Sequence, residues 1–134
     1  MIPEVCIGID MVNLFKMKRT LTRSGEKFLN RIITPDEIKY YLHKSEQRYI
    51  EGIASLFAIK EAIKKIFLQK DMNPGWKQIQ VYHQPSGKPW VAFPEGPFNQ
   101  VFENISLSLS HTSELVVAVA VGVSRKLGKN EVST

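Results

Sequence analysis

From Ser45 to Gln69 no proline interrupts the chain, and Tyr49, Ile53, Leu56, Phe57, Ile63 and Phe67 recur at steps of three and four. That period predicts one long amphipathic helix over 45–69, with Gly52 as a tolerated weak point and Asn73-Pro74-Gly75 as the breaker after it. In a chain of 134 residues, one domain by length, the other elements must pack on such a helix. They read mainly as short strands: Val5–Leu14, Ile79–Tyr82, Pro89–Phe93, Val101–Ser110 and Glu114–Val123. Pro85-Ser86-Gly87-Lys88 marks a turn between the second and third of these, and 112–114 one between the last two. The nearly all-Val/Ala run 114–123 reads as a buried strand. Ser24–Ile33 reads as a short helix capped by Ser24. Thr34-Pro35-Asp36-Glu37 carries a capping box with proline at the first helical position, opening a helix to about His43. The expected fold is α+β, a mostly antiparallel β-sheet packed on a long central helix. One domain is expected over 1–124, with a polar, frayed tail over 125–134.

Composition narrows the classes. No run approaches the roughly 20 apolar residues of a membrane span. The N-terminus has no basic leader pattern, and Asp10 interrupts its apolar run. Cys6 is the only cysteine; it forms no internal disulfide and reads as a buried, inert thiol in a reducing, cytoplasmic setting. The net charge of +5 is modest, but its placement is uneven. Lys16, Lys18, Arg19, Arg23, Lys27 and Arg31 fall within 16–31 against one acid, Glu26. Such a run is either a solvated face or a surface for an acidic partner.

Three polar islands sit in apolar elements: Gly8-Ile9-Asp10, Lys60-Glu61-Ala62-Ile63-Lys64-Lys65 and Ser108-Leu109-Ser110-His111. Asp10 in an apolar strand either points outward or needs a partner, because unpaired burial of a carboxylate is costly. Glu61 and Lys65 are four apart, the order of a helix-surface ion pair. The same spacing offers a carboxylate for Mg²⁺, which takes few protein carboxylates plus phosphate oxygens and water, and an ammonium for phosphate. His111 ends a hydroxyl-rich strand with no adjacent carboxylate, which disfavours a serine-hydrolase triad. Neither a P-loop nor a Gly-rich dinucleotide fingerprint is present. The basic segment lacks the aromatic interleaving of an RNA-binding sheet.

In this order and spacing the islands, with Gly87-Lys88-Pro89, resemble the holo-acyl-carrier-protein synthase family of small 4′-phosphopantetheinyl transferases. Its pattern runs Gly-x-Asp, Lys-Glu-Ala-x-x-Lys, Gly-Lys-Pro and Ser-x-Ser-His, and the likeness spans residues 5–122, taking in Phe28-Leu29, Arg31-Ile32 and Thr34–Glu37. The resemblance implies transfer of the phosphopantetheine arm of coenzyme A to a serine of apo acyl carrier protein, releasing adenosine 3′,5′-bisphosphate. It implies Mg²⁺ held by Asp10 and Glu61, with Lys65 neutralising the diphosphate. It places Arg48, Gly87, Lys88, Pro89, Ser110, His111 and Thr112 with Lys65 in coenzyme A binding. Acidic carrier protein would dock on Lys16, Arg19, Arg23 and Lys27. A homotrimer with its active sites between subunits is implied, with neither nucleic acid nor membrane as partner. The chain departs from the pattern at Ile9, where a small polar residue is usual, and at Lys16 and Leu56, each in place of arginine. Three rivals follow: a degenerate member of the family, a different Mg²⁺-dependent phosphotransferase, and a non-enzymatic module binding an acidic protein through 16–31.

Overall fold

The computed structural model describes residues 4–125. Strand β1 (Val5–Asn13) leads directly into α1 (Leu14–Ile32), followed by α2 (Pro35–Lys39) and α3 (Glu46–Leu68). A 3₁₀ turn at Trp76–Gln78 precedes the hairpin β2 (Gln80–His83) and β3 (Pro89–Ala92); a second, Pro97–Gln100, precedes β4 (Phe102–His111) and β5 (Leu115–Ser124). The α+β expectation holds, with all strand pairs antiparallel. The β-structure is split, however. One sheet has order β1-β5-β4, and β2-β3 is a separate hairpin.

The long helix is where its period places it. Ser45 caps it by accepting from the Arg48 amide at 3.3 Å. The core runs along its inner face through Ile53, Ile59, Ile63, Ile66 and Phe67, all essentially buried. Gly52 is more than a weak point: a Cβ there would lie 2.3 Å from the Tyr41 ring. The run 114–123 is the central strand rather than one buried on both faces. Val116, Ala118, Ala120 and Gly122 pack inward, while Val117, Val119, Val121 and Val123 stay half-buried on the outer face. The expected tail falls largely on 126–134, outside the described residues.

The start of α1 was not legible as a helix. It begins at Leu14, capped by Asn13, whose Oδ1 accepts from the Lys16 amide at 2.9 Å. Ser24 does not open a helix; it is a kink within one, with φ −148° and ψ 39°. The apolar positions Leu14, Met17, Leu21, Phe28 and Ile32 carried that signal, thinned by the cations between them. The helix beginning at Pro35 has the expected capping box, with the Thr34 amide donating to Glu37 Oε1 at 2.9 Å, but ends at Lys39.

Glu37 does more than cap. Lys60 is fully buried, and its Nζ donates to Glu37 Oε1 at 2.7 Å, Ile32 O at 2.8 Å and Trp76 O at 3.1 Å. The other Glu37 oxygen accepts from the Val81 amide at 2.8 Å. One ion pair thus ties α1, α2, α3 and the β2–β3 hairpin together, with every proton of the ammonium used.

Candidate active site

Alternation along β1 puts Cys6, Gly8, Asp10 and Val12 on the face toward α3. Gly8 is the point of closest approach: a Cβ there would stand 2.0 Å from the Ala62 carbonyl oxygen and 3.2 Å from Lys65 Cβ. Only glycine allows that approach, and Asp10, two residues on, is carried to the same helix. Asp10 is partly buried, not outward-pointing. Lys65 Nζ donates to Ile9 O at 2.6 Å and pairs with Asp10 Oδ1 at 3.6 Å. Lys65 therefore reaches across to β1; the expected ion pair with Glu61 is not the one it makes.

Burial raises the Asp10 carboxyl above the usual carboxylate range, with Lys65 pulling the other way. Burial also raises Glu61, and the second cause is the charge of Asp10. Two acids remote in sequence thus lie near enough for their charges to couple, with the Lys65 ammonium acting on both. Their mutual repulsion and partial desolvation suit a divalent cation, which relieves both. The donor set is hard oxygen, two protein carboxylates with room for phosphate oxygens and water, which fits Mg²⁺.

A second feature lies further toward the N-terminus of α3. A cleft of about 340 Å³ is lined by Tyr40, Lys44, Arg48, His83, Gly87 and His111, among others. It unites three expected coenzyme A residues, Arg48, Gly87 and His111, from a helix, a hairpin turn and a strand end. Gly87 has φ +91°, which the turn requires. Lys88 and Pro89 continue that hairpin outside the cleft lining. Ser110 lies opposite Val117 on the outer sheet face, not in the cleft. Thr112 Oγ1 accepts from the amides of Glu114 and Leu115, both at 3.1 Å, so it shapes the β4–β5 turn. Between Ser55, in the cleft, and Glu61 there is about 9 Å of helix rise. Within one chain the carboxylate pair and the cleft thus lie less than two turns apart along α3. Another concavity, about 500 Å³ between β3 and β4, holds none of the candidate residues.

Lys16, Arg19 and Arg23 line shallow depressions on the first part of α1. Phe15 is 69% exposed beside them, with the Arg19 guanidinium 6.0 Å from its ring centre. Lys27 lies past the kink. Leu56 is in the core, 1% exposed, and contributes nothing to a binding surface.

Sequence reasoning missed the aromatic wall of the cleft. Tyr40 stacks on His83 with centroids 3.9 Å apart and planes 7° from parallel. The Tyr41 hydroxyl lies 3.1 Å from His83 Nε2, and burial raises its phenol well above the usual range. These residues are some forty positions apart, and no motif joins them. Burial, then Lys44, lowers the His83 pKa below 6.5. Between that lowered value and 6.5 the unfolded chain binds more protons than the native one, so stability falls as pH drops through this window. NMR titration of the imidazole should give a pKa below 6.5, and His83→Asn should flatten the acid limb of the urea-unfolding free energy.

A carboxylate pair beside a lysine, on a sheet packed against one long helix, has the hard oxygen donors and the positive charge suited to a metal-bound phosphate. Residues 6–120 match the model of the 4′-phosphopantetheinyl transferase superfamily. A holo-[acyl-carrier-protein] synthase of Chloroherpeton thalassium is 37% identical over 119 residues, 86% of this chain and 94% of that protein. The Bacillus anthracis holo-(acyl-carrier-protein) synthase, solved in complex with CoA (3′,5′-ADP), superposes with a TM-score of 0.74 at 29% identity, covering 92% of this chain and 99% of that one. The Helicobacter pylori enzyme, solved with coenzyme A, gives 0.72 at 28% identity over 88% and 99% of the two chains. The chain belongs to the holo-acyl-carrier-protein synthase family of phosphopantetheinyl transferases.

Proposed function

We propose that this chain transfers 4′-phosphopantetheine from coenzyme A to a serine of an apo acyl carrier protein, with Mg²⁺, in the cytoplasm. The observation that carries the reading is the meeting of Asp10 and Glu61 beside Lys65, where a strand crosses α3 on a glycine. The serine oxygen forms a bond to the phosphorus nearest pantetheine, and the bond from that phosphorus to adenosine 3′,5′-bisphosphate breaks. Phosphoryl transfer of this kind depends on positioning and charge neutralisation. Asp10 and Glu61 would hold Mg²⁺, which when bound polarises the diphosphate and steadies the leaving group. Lys65, on its hydrogen bond to Ile9 O, holds a positive charge beside the pair. Glu61 is the protein group offered for the serine proton. The cleft with Arg48, Gly87 and His111 takes the nucleotide end of coenzyme A.

The test is direct. Incubation with apo carrier protein, coenzyme A and Mg²⁺ should add one phosphopantetheine mass to the carrier. An unmodified carrier, under conditions where coenzyme A binds, would select the degenerate-member alternative.

The outer face of the three-stranded sheet supports a trimer. Ile7, Ile9 and Met11 are 60%, 55% and 61% exposed, beside half-buried Val117, Val119 and Val121. A contiguous apolar patch of this kind marks an interface, and active sites shared between subunits, as the family likeness implies, would depend on it. Ile9→Lys should shift the sedimenting species to monomer and lower transfer; an unchanged mass would remove the trimer from this face.

The basic stretch of α1, Lys16, Arg19 and Arg23 before the kink and Lys27 after it, is the proposed carrier surface. Charge complementarity there speeds encounter more than it deepens affinity. Arg19→Glu with Arg23→Glu should reduce kcat/KM for carrier by about tenfold or more at low salt, with the coenzyme A KM unchanged. The deficit should shrink as salt rises.

A further inference from the structure

Within the cleft, Lys44 is placed with unusual care for an exposed lysine. Its Nζ lies 4.9 Å from the centre of the Tyr40 ring, within cation–π range. That ring is itself fixed. His83 stacks on it at 3.9 Å, and His83 is held by the Tyr41 hydroxyl at 3.1 Å. Tyr41 is 7% exposed, seated where Gly52 leaves α3 without a side chain. A chain of three rings thus runs from the central helix out to one ammonium. Arg48 lines the same cleft one turn into α3. Among the described residues neither Lys44 nor Arg48 has a carboxylate within ion-pair distance. The one carboxylate in the lining, Glu51, accepts from Gln47 Nε2 at 3.1 Å. Two cations on one cleft wall with no carboxylate partner among the described residues suit an anion other than the diphosphate, which the transferase reading gives to Asp10 and Glu61.

We propose that Lys44 is the specificity residue that tells coenzyme A from its 3′-dephospho form, its ammonium leaving the Tyr40 ring to close with Arg48 on the 3′-phosphate. The inference rests on the transferase reading above and adds to it the residue that selects the donor. The rings act as a rest position: they hold the ammonium extended toward the cleft, so less rotamer freedom is lost on binding.

Steady-state transfer with coenzyme A and with 3′-dephospho-coenzyme A tests it. Lys44 is exposed, so Lys44→Ala should keep the wild-type melting curve. It should raise the KM for coenzyme A about tenfold, the scale of one lost charge-assisted hydrogen bond, and leave dephospho-coenzyme A unchanged. Lys44→Arg should preserve the preference. Tyr40→Leu should weaken it in the same direction without touching dephospho-coenzyme A. A Lys44→Ala effect equal on both donors, or absent from both, overturns the proposal. Should the wild type transfer from neither donor, the transferase reading fails on its own. Calorimetric titration with adenosine 3′,5′-bisphosphate and 5′-AMP then decides the inference: a preference for the bisphosphate that Lys44→Ala erases sustains it, and equal binding of the two ends it.

Discussion

Asp10→Asn and Glu61→Gln should each lower phosphopantetheine transfer by a factor on the order of 10³ while leaving the fold and the melting temperature nearly intact. The two halves of this expectation have one cause. In the apo protein each carboxylate costs something: both are partly desolvated, and the charge of Asp10 bears on Glu61. Replacing either acid by its amide relieves that repulsion and keeps the side-chain volume, so stability has little to lose. Catalysis has much to lose, because a neutral amide is a poor ligand for a hard divalent cation. The comparison is made by carrier mass spectrometry beside thermal unfolding. Full transfer by either variant would remove the metal reading. A large drop in melting temperature would show instead that the pair is structural. Lys65→Met should behave differently, losing some stability as well as rate, since it strips Asp10 of its ion pair and Ile9 O of its donor.

The second large effect is on stability. Lys60→Met should cost about 3–5 kcal/mol, the scale for breaking a buried pair by removing one partner. Glu37→Leu should cost at least as much: it leaves the Lys60 ammonium without its counter-charge and also orphans the amides of Thr34 and Val81. With both changes together the cost should fall well short of the sum, because no uncompensated charge remains. Urea unfolding of the four proteins checks this cycle; simple additivity would mean the two groups do not interact as described. The pH dependence has a defined sign. Burial, the first cause, holds the Lys60 ammonium below 10.5, with Glu37 opposing. Between that lowered value and 10.5 the unfolded chain binds more protons, so native stability rises with pH there. The cost of burying the charge is fully present below the window, and Lys60→Met should abolish the slope.

Much of this molecule could be read from residue order. The long helix and the capping box at Thr34 follow from periodicity and cap chemistry, both local signals, whereas the pairing of Asp10 with Glu61 and Lys65 was implied only by the likeness to a family pattern. What was not legible depended on neighbours distant in the chain. Lys60 sits inside the Lys-Glu-Ala motif and passes for a surface lysine until Glu37, Ile32 and Trp76 are brought around it. The stack of Tyr40 on His83 has no local signature at all. The first half of α1 was hidden by its own cations, which dilute the apolar stripe to Leu14, Met17 and Leu21. Thr112 and Ser110 show the converse. Thr112 also holds the β4–β5 turn and strand alternation puts Ser110 on the outer sheet face, structural duties that their place in a family-like run does not announce.

The crossing of β1 over Ala62 has a bearing on how the enzyme can be altered. Because main chain meets main chain there, the spacing of the two acids is a property of the scaffold rather than of any replaceable packing group. Redesign for heat tolerance can therefore rework the aromatic cluster of Phe67, Phe93, Phe98 and Phe102 without detuning the chemistry, whereas even a single methyl at position 8 would force strand and helix apart.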